Sequence, residues 1–196
     1  KTSKISTLRR RLVSISMVHK LKGHYLDTKH PIIIENLMGI KRVKGSIQKG
    51  KKPILINHLK SIINAINQKK INEIKKLRDK TIILVGFGGG FRRTELISID
   101  HEDIEFVPEG VKITIKRSKT DQFGEGMIKG LPYFTNEEYC PVTNLKRWLE
   151  LSNIKSGPIF KRFSKGSVLT NYRLTDQSVV MLIKDYLNLA GIENKN

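Results

Sequence analysis

Gly86-Phe87-Gly88-Gly89-Gly90-Phe91-Arg92-Arg93-Thr94-Glu95-Leu96 is the stretch whose reading decides this fold. It closes an apolar helical run, Thr81-Ile82-Ile83-Leu84-Val85, breaks the backbone with glycine and restarts at once with two arginines and a glutamate. Adjacent glycines permit positive φ and close backbone approach, so the chain can turn sharply here. A helix beginning near Arg93 would aim its free N–H groups and the positive end of its dipole at whatever sits over the turn. With a forked guanidinium beside it, such a turn suits a phosphate oxygen. The plainer reading is a glycine C-cap followed by a solvated basic turn, and the glycines alone favour it. A nucleotide-binding loop is excluded, because no Gly-Lys-Ser/Thr follows the glycines.

The totals narrow the class. With 196 residues, 38% apolar and 28% charged, the chain reads as globular with ample length for a core. No apolar run approaches membrane-spanning length and no secretory pattern opens the chain. It begins at Lys1, as expected of a piece of a longer protein. One cysteine, Cys140, permits neither an internal disulfide nor a cysteine metal cage, and its expected role is packing in a reducing cytoplasm. Lys and Arg number 37 against 18 Asp and Glu, a net charge of +19. Residues 1–52 carry +12 of that excess and the remainder +7. An imbalance of this size points to a polyanion, foremost nucleic acid. The competing reading is a lysine-rich protein whose charge serves solubility, with an AT-rich genome inflating the count.

Along the chain, Ile5, Leu8, Leu12, Ile15, Val18 and Leu21 recur at helical spacing and predict a helix over residues 2–22. Arg9, Arg10 and Arg11 fall on another part of its surface, as a phosphate contact or a solvated face. Pro31 opens a second helix expected to close around Gly39. A flexible basic linker is expected from Lys41 to Lys52, carrying Lys41, Arg42, Lys44, Lys49, Lys51 and Lys52. Two further helices lead into the glycine stretch. Past Leu96 the apolar period becomes alternating: Ile104–Val107 and Val111–Ile115 flank Pro108-Glu109-Gly110 as a β-hairpin, and Met127–Tyr133 gives a third strand. Arg117-Ser118-Lys119-Thr120 stands at a strand end, where a side chain can reach over a substrate, although Lys119 alone is one lysine among many. Pro141 begins a helix with Leu145 and Trp148, Pro158-Ile159-Phe160 is a short buried segment, and Thr175 caps a last helix ending before Gly191. The fold class is α+β, mainly helical, with a small three-stranded antiparallel sheet.

This order resembles the tyrosine recombinases, the phage-integrase family of DNA breaking–rejoining enzymes. Gly90-Phe91-Arg92-Arg93-Thr94-Glu95-Leu96 is similar to their first arginine box, with Ile99-Asp100-His101-Glu102-Asp103-Ile104 as its tail. Arg117-Ser118-Lys119-Thr120 is similar to the lysine-bearing β-hairpin. The resemblance implies that 1–47 are the C-terminal helices of a core-binding domain with the start of the linker, and that 48–196 are the N-terminal part of the catalytic domain. It implies Arg92 and Lys119 as catalytic residues and Glu95 as a supporting residue that positions its neighbours. DNA contacts are expected from Arg9, Arg10, Arg11, Lys41, Arg42, Lys44, Lys49, Lys51, Lys52, Arg93 and Arg117.

The implied chemistry is attack of a tyrosine oxygen on a phosphodiester, giving a 3′-phosphotyrosyl link and a free 5′-hydroxyl. Guanidinium groups would stabilise the charge gathered in the transition state, and a lysine ammonium would protonate the departing oxygen. No metal or cofactor is implied. The family's His-x-x-Arg box and nucleophilic tyrosine would follow the Ala190-Gly191-Ile192 segment and do not occur by Asn196. The expectation is therefore a fold incomplete at its C-terminus and a fragment unable to cleave DNA. Tyr25, Tyr133, Tyr139, Tyr172 and Tyr186 are expected in packing or at the surface, as are His19, His24, His30, His58 and His101. The expected partner is double-stranded DNA at a recombination site. The parent would be a tetramer on DNA and the fragment a monomer, in a bacterial or phage setting, cytoplasmic and nucleoid-associated, with no membrane. Two other readings stay open: a non-catalytic DNA-binding protein retaining the fold, and a type IB topoisomerase-like enzyme.

Overall fold

The computed structural model describes residues 3–45, 47, 50, 53–116 and 126–192. The chain divides into two compact units, Lys1–Lys52 and Pro53–Asn196, where the sequence reading divides after residue 47. Among the described residues no helix is long and apolar enough to cross a membrane.

The first unit holds α1 (Ile5–Leu21) and α2 (Pro31–Lys44), packed on each other with no buried residue in either helix. His30 caps α2, its Nδ1 accepting from the Ile32 amide at 3.3 Å, and Pro31 occupies the first turn. α2 runs through Gly39 to Lys44, which corrects the expected stop. One interior glycine costs only about 1 kcal/mol, and Lys41, Arg42 and Lys44 in the last turn favour the negative end of the helix dipole. The stop falls instead at Gly45, whose φ of 71° ends the helix. Lys41, Arg42 and Lys44 are thus helical, not linker, residues. Lys49, Lys51 and Lys52 lie outside the described residues.

The second unit is built around α4 (Glu73–Gly88). Leu77, Arg78, Asp79 and Thr81 through Val85 are all buried, the mark of a helix enclosed on every side. One face, with Ile83 and Leu84, meets α3 (Ile56–Gln68) and α7 (Asp176–Leu189) in one core. α3 offers Leu59, Ile62, Ile63 and Ile66 at helical spacing. The other face, with Leu77, Ile82 and Val85, meets the main sheet and α6 (Pro141–Ser152) in a second core. There Trp148 is fully buried and its indole N–H donates to the Ile159 carbonyl at 2.8 Å. Cys140 does more than pack: it is the N-cap of α6, and its Sγ accepts from the Phe134 and Thr143 amides at 3.3 and 3.5 Å. Burial pushes this thiol's pKa up, but the hydrogen bonds from Phe134, Thr143 and Val142 together outweigh it and leave it below the ordinary value.

The main sheet has the order β1 (Ile104–Val107), β2 (Gly110–Ile115), β3 (Met127–Pro132), all antiparallel. Val111, Ile113 and Ile115 of β2 face the core in the period-two pattern. A second, two-stranded antiparallel sheet, β4 (Lys161–Phe163) with β5 (Leu169–Arg173), adds to the expected single sheet. It is illegible in sequence because the strands are short, the register is irregular at Lys161/Phe163, and their burial is mixed.

Candidate functional site

The glycine stretch resolves into a specific device. α4 ends with the Phe91 amide bonded to the Gly86 carbonyl and the Gly90 amide to the Phe87 carbonyl, at 3.1 and 3.3 Å. That pair of bonds is a Schellman motif, and Gly90 supplies its left-handed residue at φ 54°. Gly89 is required for a different reason: a Cβ there would stand 2.1 Å from the Phe91 ring. The glycine C-cap offered by the sequence is therefore realised. The cap is what reverses the chain and delivers Arg92 to the start of α5 (Arg93–Ser98).

At that start, Glu95 is the organising group. Its side chain is 2% exposed, while the Arg92 side chain remains 46% exposed. Oε1 accepts from Arg92 NH1 at 2.6 Å and Oε2 from the Arg92 backbone amide at 3.0 Å. This is a capping box with glutamate at its third position. The Arg92 amide is thereby taken up by the protein's own carboxylate. The Arg92 side chain stays half-exposed, with its NH1 bonded to a buried acid.

Lys129, on β3, completes the surroundings. Its Nζ lies 3.6 Å from Glu95 Oε2 and donates to the carbonyls of Gly89 and Gly90 at 3.0 and 3.2 Å. Sequence reading missed it. The available signal was a charged residue at an inward strand position, two before buried Leu131 and paired with buried Ile113.

The neighbouring arginine goes elsewhere. Arg93 NH1 lies 3.9 Å from Asp176 Oδ2 at the start of α7, and its side chain borders an apolar cavity of about 230 Å³ with Phe91, Leu96 and Val179. Lys119 and Arg117 lie outside the described residues. The strand leading to them ends beside Lys116, whose Nζ is 2.8 Å from Asp103 Oδ1 and 3.5 Å from Asp100 Oδ2. The hydrogen bond to Asp103 raises the Lys116 pKa above its ordinary value. Arg173, from β5, holds the other side of Asp100 and donates to the Ile97 carbonyl at 2.6 Å. So the tail of α5, the end of β2 and the second sheet are tied into one charged network.

Arg9, Arg10 and Arg11 are exposed on α1, and Lys41, Arg42 and Lys44 on α2. Tyr186 is in the core, its hydroxyl donating to Asp79 Oδ2 at 2.8 Å. Tyr25 and Tyr172 are largely exposed. Among the described residues no cluster of His, Cys, Asp and Glu gathers to hold a metal ion.

No family model matches the chain. It is 38% identical over 194 residues to the integrase/recombinase xerD homolog of Selenomonas ruminantium, across 97% of this chain and 56% of that protein. It is 33% identical over 90 residues to tyrosine recombinase XerC of Staphylococcus carnosus (strain TM300), across 45% of this chain and 30% of that protein. The chain thus spans about half, or less, of the curated relatives it matches. A solved structure of the XerH site-specific recombinase bound to its difH substrate, a pre-cleavage complex, shares the fold with a TM-score of 0.54. The identity there is 18%, over 99% of this chain and 55% of that one.

Proposed function

The chain belongs to the tyrosine recombinase family, and from that premise we propose that the full-length protein cuts and rejoins double-stranded DNA at a specific site through a 3′-phosphotyrosyl intermediate. The observation that carries the reading is Arg92: a half-exposed side chain whose guanidinium is bonded to the buried Glu95 at the end of a tight turn. A pentavalent phosphorane gathers charge on its non-bridging oxygens, and a preplaced guanidinium stabilises that state more than the ground state. Glu95 positions Arg92 and transfers no proton. Lys119 protonates the departing 5′ oxygen as general acid. Arg9, Arg10, Arg11, Lys41, Arg42, Lys44, Lys49, Lys51, Lys52, Arg93 and Arg117 contact backbone phosphates, which set affinity and register rather than sequence choice. Residues 1–47 serve as the closing helices of a core-binding domain, and the full-length protein works as a tetramer on nucleoid DNA.

The test uses the full-length protein and a nicked duplex that it selects from a random-sequence pool. Wild type should form a covalent protein–DNA adduct. Arg92→Ala should lose the adduct by about a thousand-fold, the scale of one transition-state donor, while DNA affinity stays within a few-fold. An Arg92→Ala protein that forms adduct normally but binds DNA more weakly would leave a non-catalytic DNA-binding protein as the reading.

A further inference from the structure

We propose that Lys129 is a positioning residue for Arg92, acting through Glu95 and the glycine turn. The assignment rests on the role given to Arg92 above. Lys129 stands opposite Ile113 on β3, in the inward register of Leu131. Its side chain is 18% exposed, so the stem crosses apolar ground and the ammonium must find partners inside.

The partners it finds all belong to the segment that presents Arg92. Nζ donates to Gly89 and Gly90, approaches Glu95 Oε2, and sits 4.5 Å from the centroid of the Phe91 ring. The Glu95 carboxylate is therefore divided. Oε1 takes the Arg92 guanidinium, while Oε2 takes the Arg92 amide and faces Lys129.

The division has a consequence for the chemistry. A carboxylate this buried demands positive charge nearby. With Lys129 supplying part of it, Arg92 bonds Oε1 through NH1 while its side chain stays 46% exposed. Without Lys129, Arg92 is drawn further onto the carboxylate, in the bidentate arrangement this pair prefers, and the Gly89–Gly90 peptides lose the donor that fixes the turn. Either change moves the guanidinium off the phosphorane. DNA affinity, spread over many basic contacts, is left alone.

The experiment compares two substitutions in the full-length protein on the nicked duplex. Lys129→Gln keeps an amide donor for the carbonyls and removes the charge; Lys129→Arg keeps the charge. Single-turnover cleavage at saturating DNA should fall about ten- to a hundred-fold in Lys129→Gln at unchanged Kd, with Lys129→Arg within about three-fold of wild type. A merely structural lysine would lower the thermal midpoint of both variants and leave the saturating rate of the folded protein intact. A wild-type rate in Lys129→Gln, equal losses in both variants, or a Lys129→Gln chain that fails to fold by circular dichroism overturns the assignment. The underlying reading falls on a different result: no adduct from wild type, or normal adduct from Arg92→Ala.

Discussion

Two arginines in the second unit each grip a carboxylate, and they differ in what is left over. Arg78 bonds Asp79 next to it through Nε and NH2, at 2.9 and 2.6 Å, and its NH1 donates to the Lys161 carbonyl at 2.9 Å. The Phe163 ring covers the guanidinium at 4.7 Å. Both partners are buried, at 6% and 4% side-chain exposure. Arg92 bonds Glu95 one turn on, but only the acid is buried, and the Arg92 side chain stays 46% exposed. The two pairs have the same chemistry and opposite work. Where both partners are buried the pair joins α4 to β4 and α7; where the arginine side chain stays half-exposed, the pair presents a charge.

Paired substitutions separate the two arginines most clearly. On the proposed function, Arg92→Ala in the full-length protein should cost cleavage about a thousand-fold, roughly 4 kcal/mol of transition-state stabilisation, and shift thermal unfolding little. Arg78→Met should do the reverse. It leaves Asp79 buried without its cation, so stability should drop by about 3–5 kcal/mol, read by denaturant titration, while the folded fraction still cleaves. If Arg78→Met instead abolishes cleavage at full stability, the assignment of roles is inverted.

Smaller effects sharpen it. Tyr186 gives Asp79 Oδ2 its other partner, so Tyr186→Phe should cost about 1–3 kcal/mol. Burial first, and then the Asp79 charge, push the Tyr186 pKa well above the ordinary value. A group raised in the folded state gives its full stabilisation below the unfolded pKa, about 10 for tyrosine, and loses it as pH climbs beyond. Of the five tyrosines, one should therefore form tyrosinate only as the fold opens, and the ultraviolet titration of Tyr186→Phe should lack that late step. Smallest of all, Arg42→Ala or Lys44→Ala in the first unit should each flatten the log–log salt dependence of DNA binding by about 0.9. An unchanged slope would remove that residue from the phosphate contacts.

The local features were legible because their causes are local. Helices at Ile56–Gln68, Pro141–Ser152 and Asp176–Leu189 follow from spaced apolar residues and nearby caps. The hairpin of β1 and β2 follows from alternation across a turn. Arg92 and Glu95 are picked out by the resemblance to the recombinases' first arginine box, and their pairing is local, three residues apart at a helix start. Gly39 misled because a lone glycine is only a weak breaker when basic residues after it suit the helix end. The β4–β5 hairpin escaped because neither strand is long enough to show a period.

By itself, then, the sequence determined the order of elements, the sharp reversal at Gly86–Phe91 and the candidate pair Arg92 and Glu95, all set by contacts within a few residues. Three-dimensional packing alone settles which arginine side chain stays half-exposed, that Lys129 comes to Glu95 from β3, and that Arg173 and Lys116 meet at Asp100. Those choices depend on strand register and on how α4 is enclosed. Long-range packing fixes both, and no spacing along the chain records them.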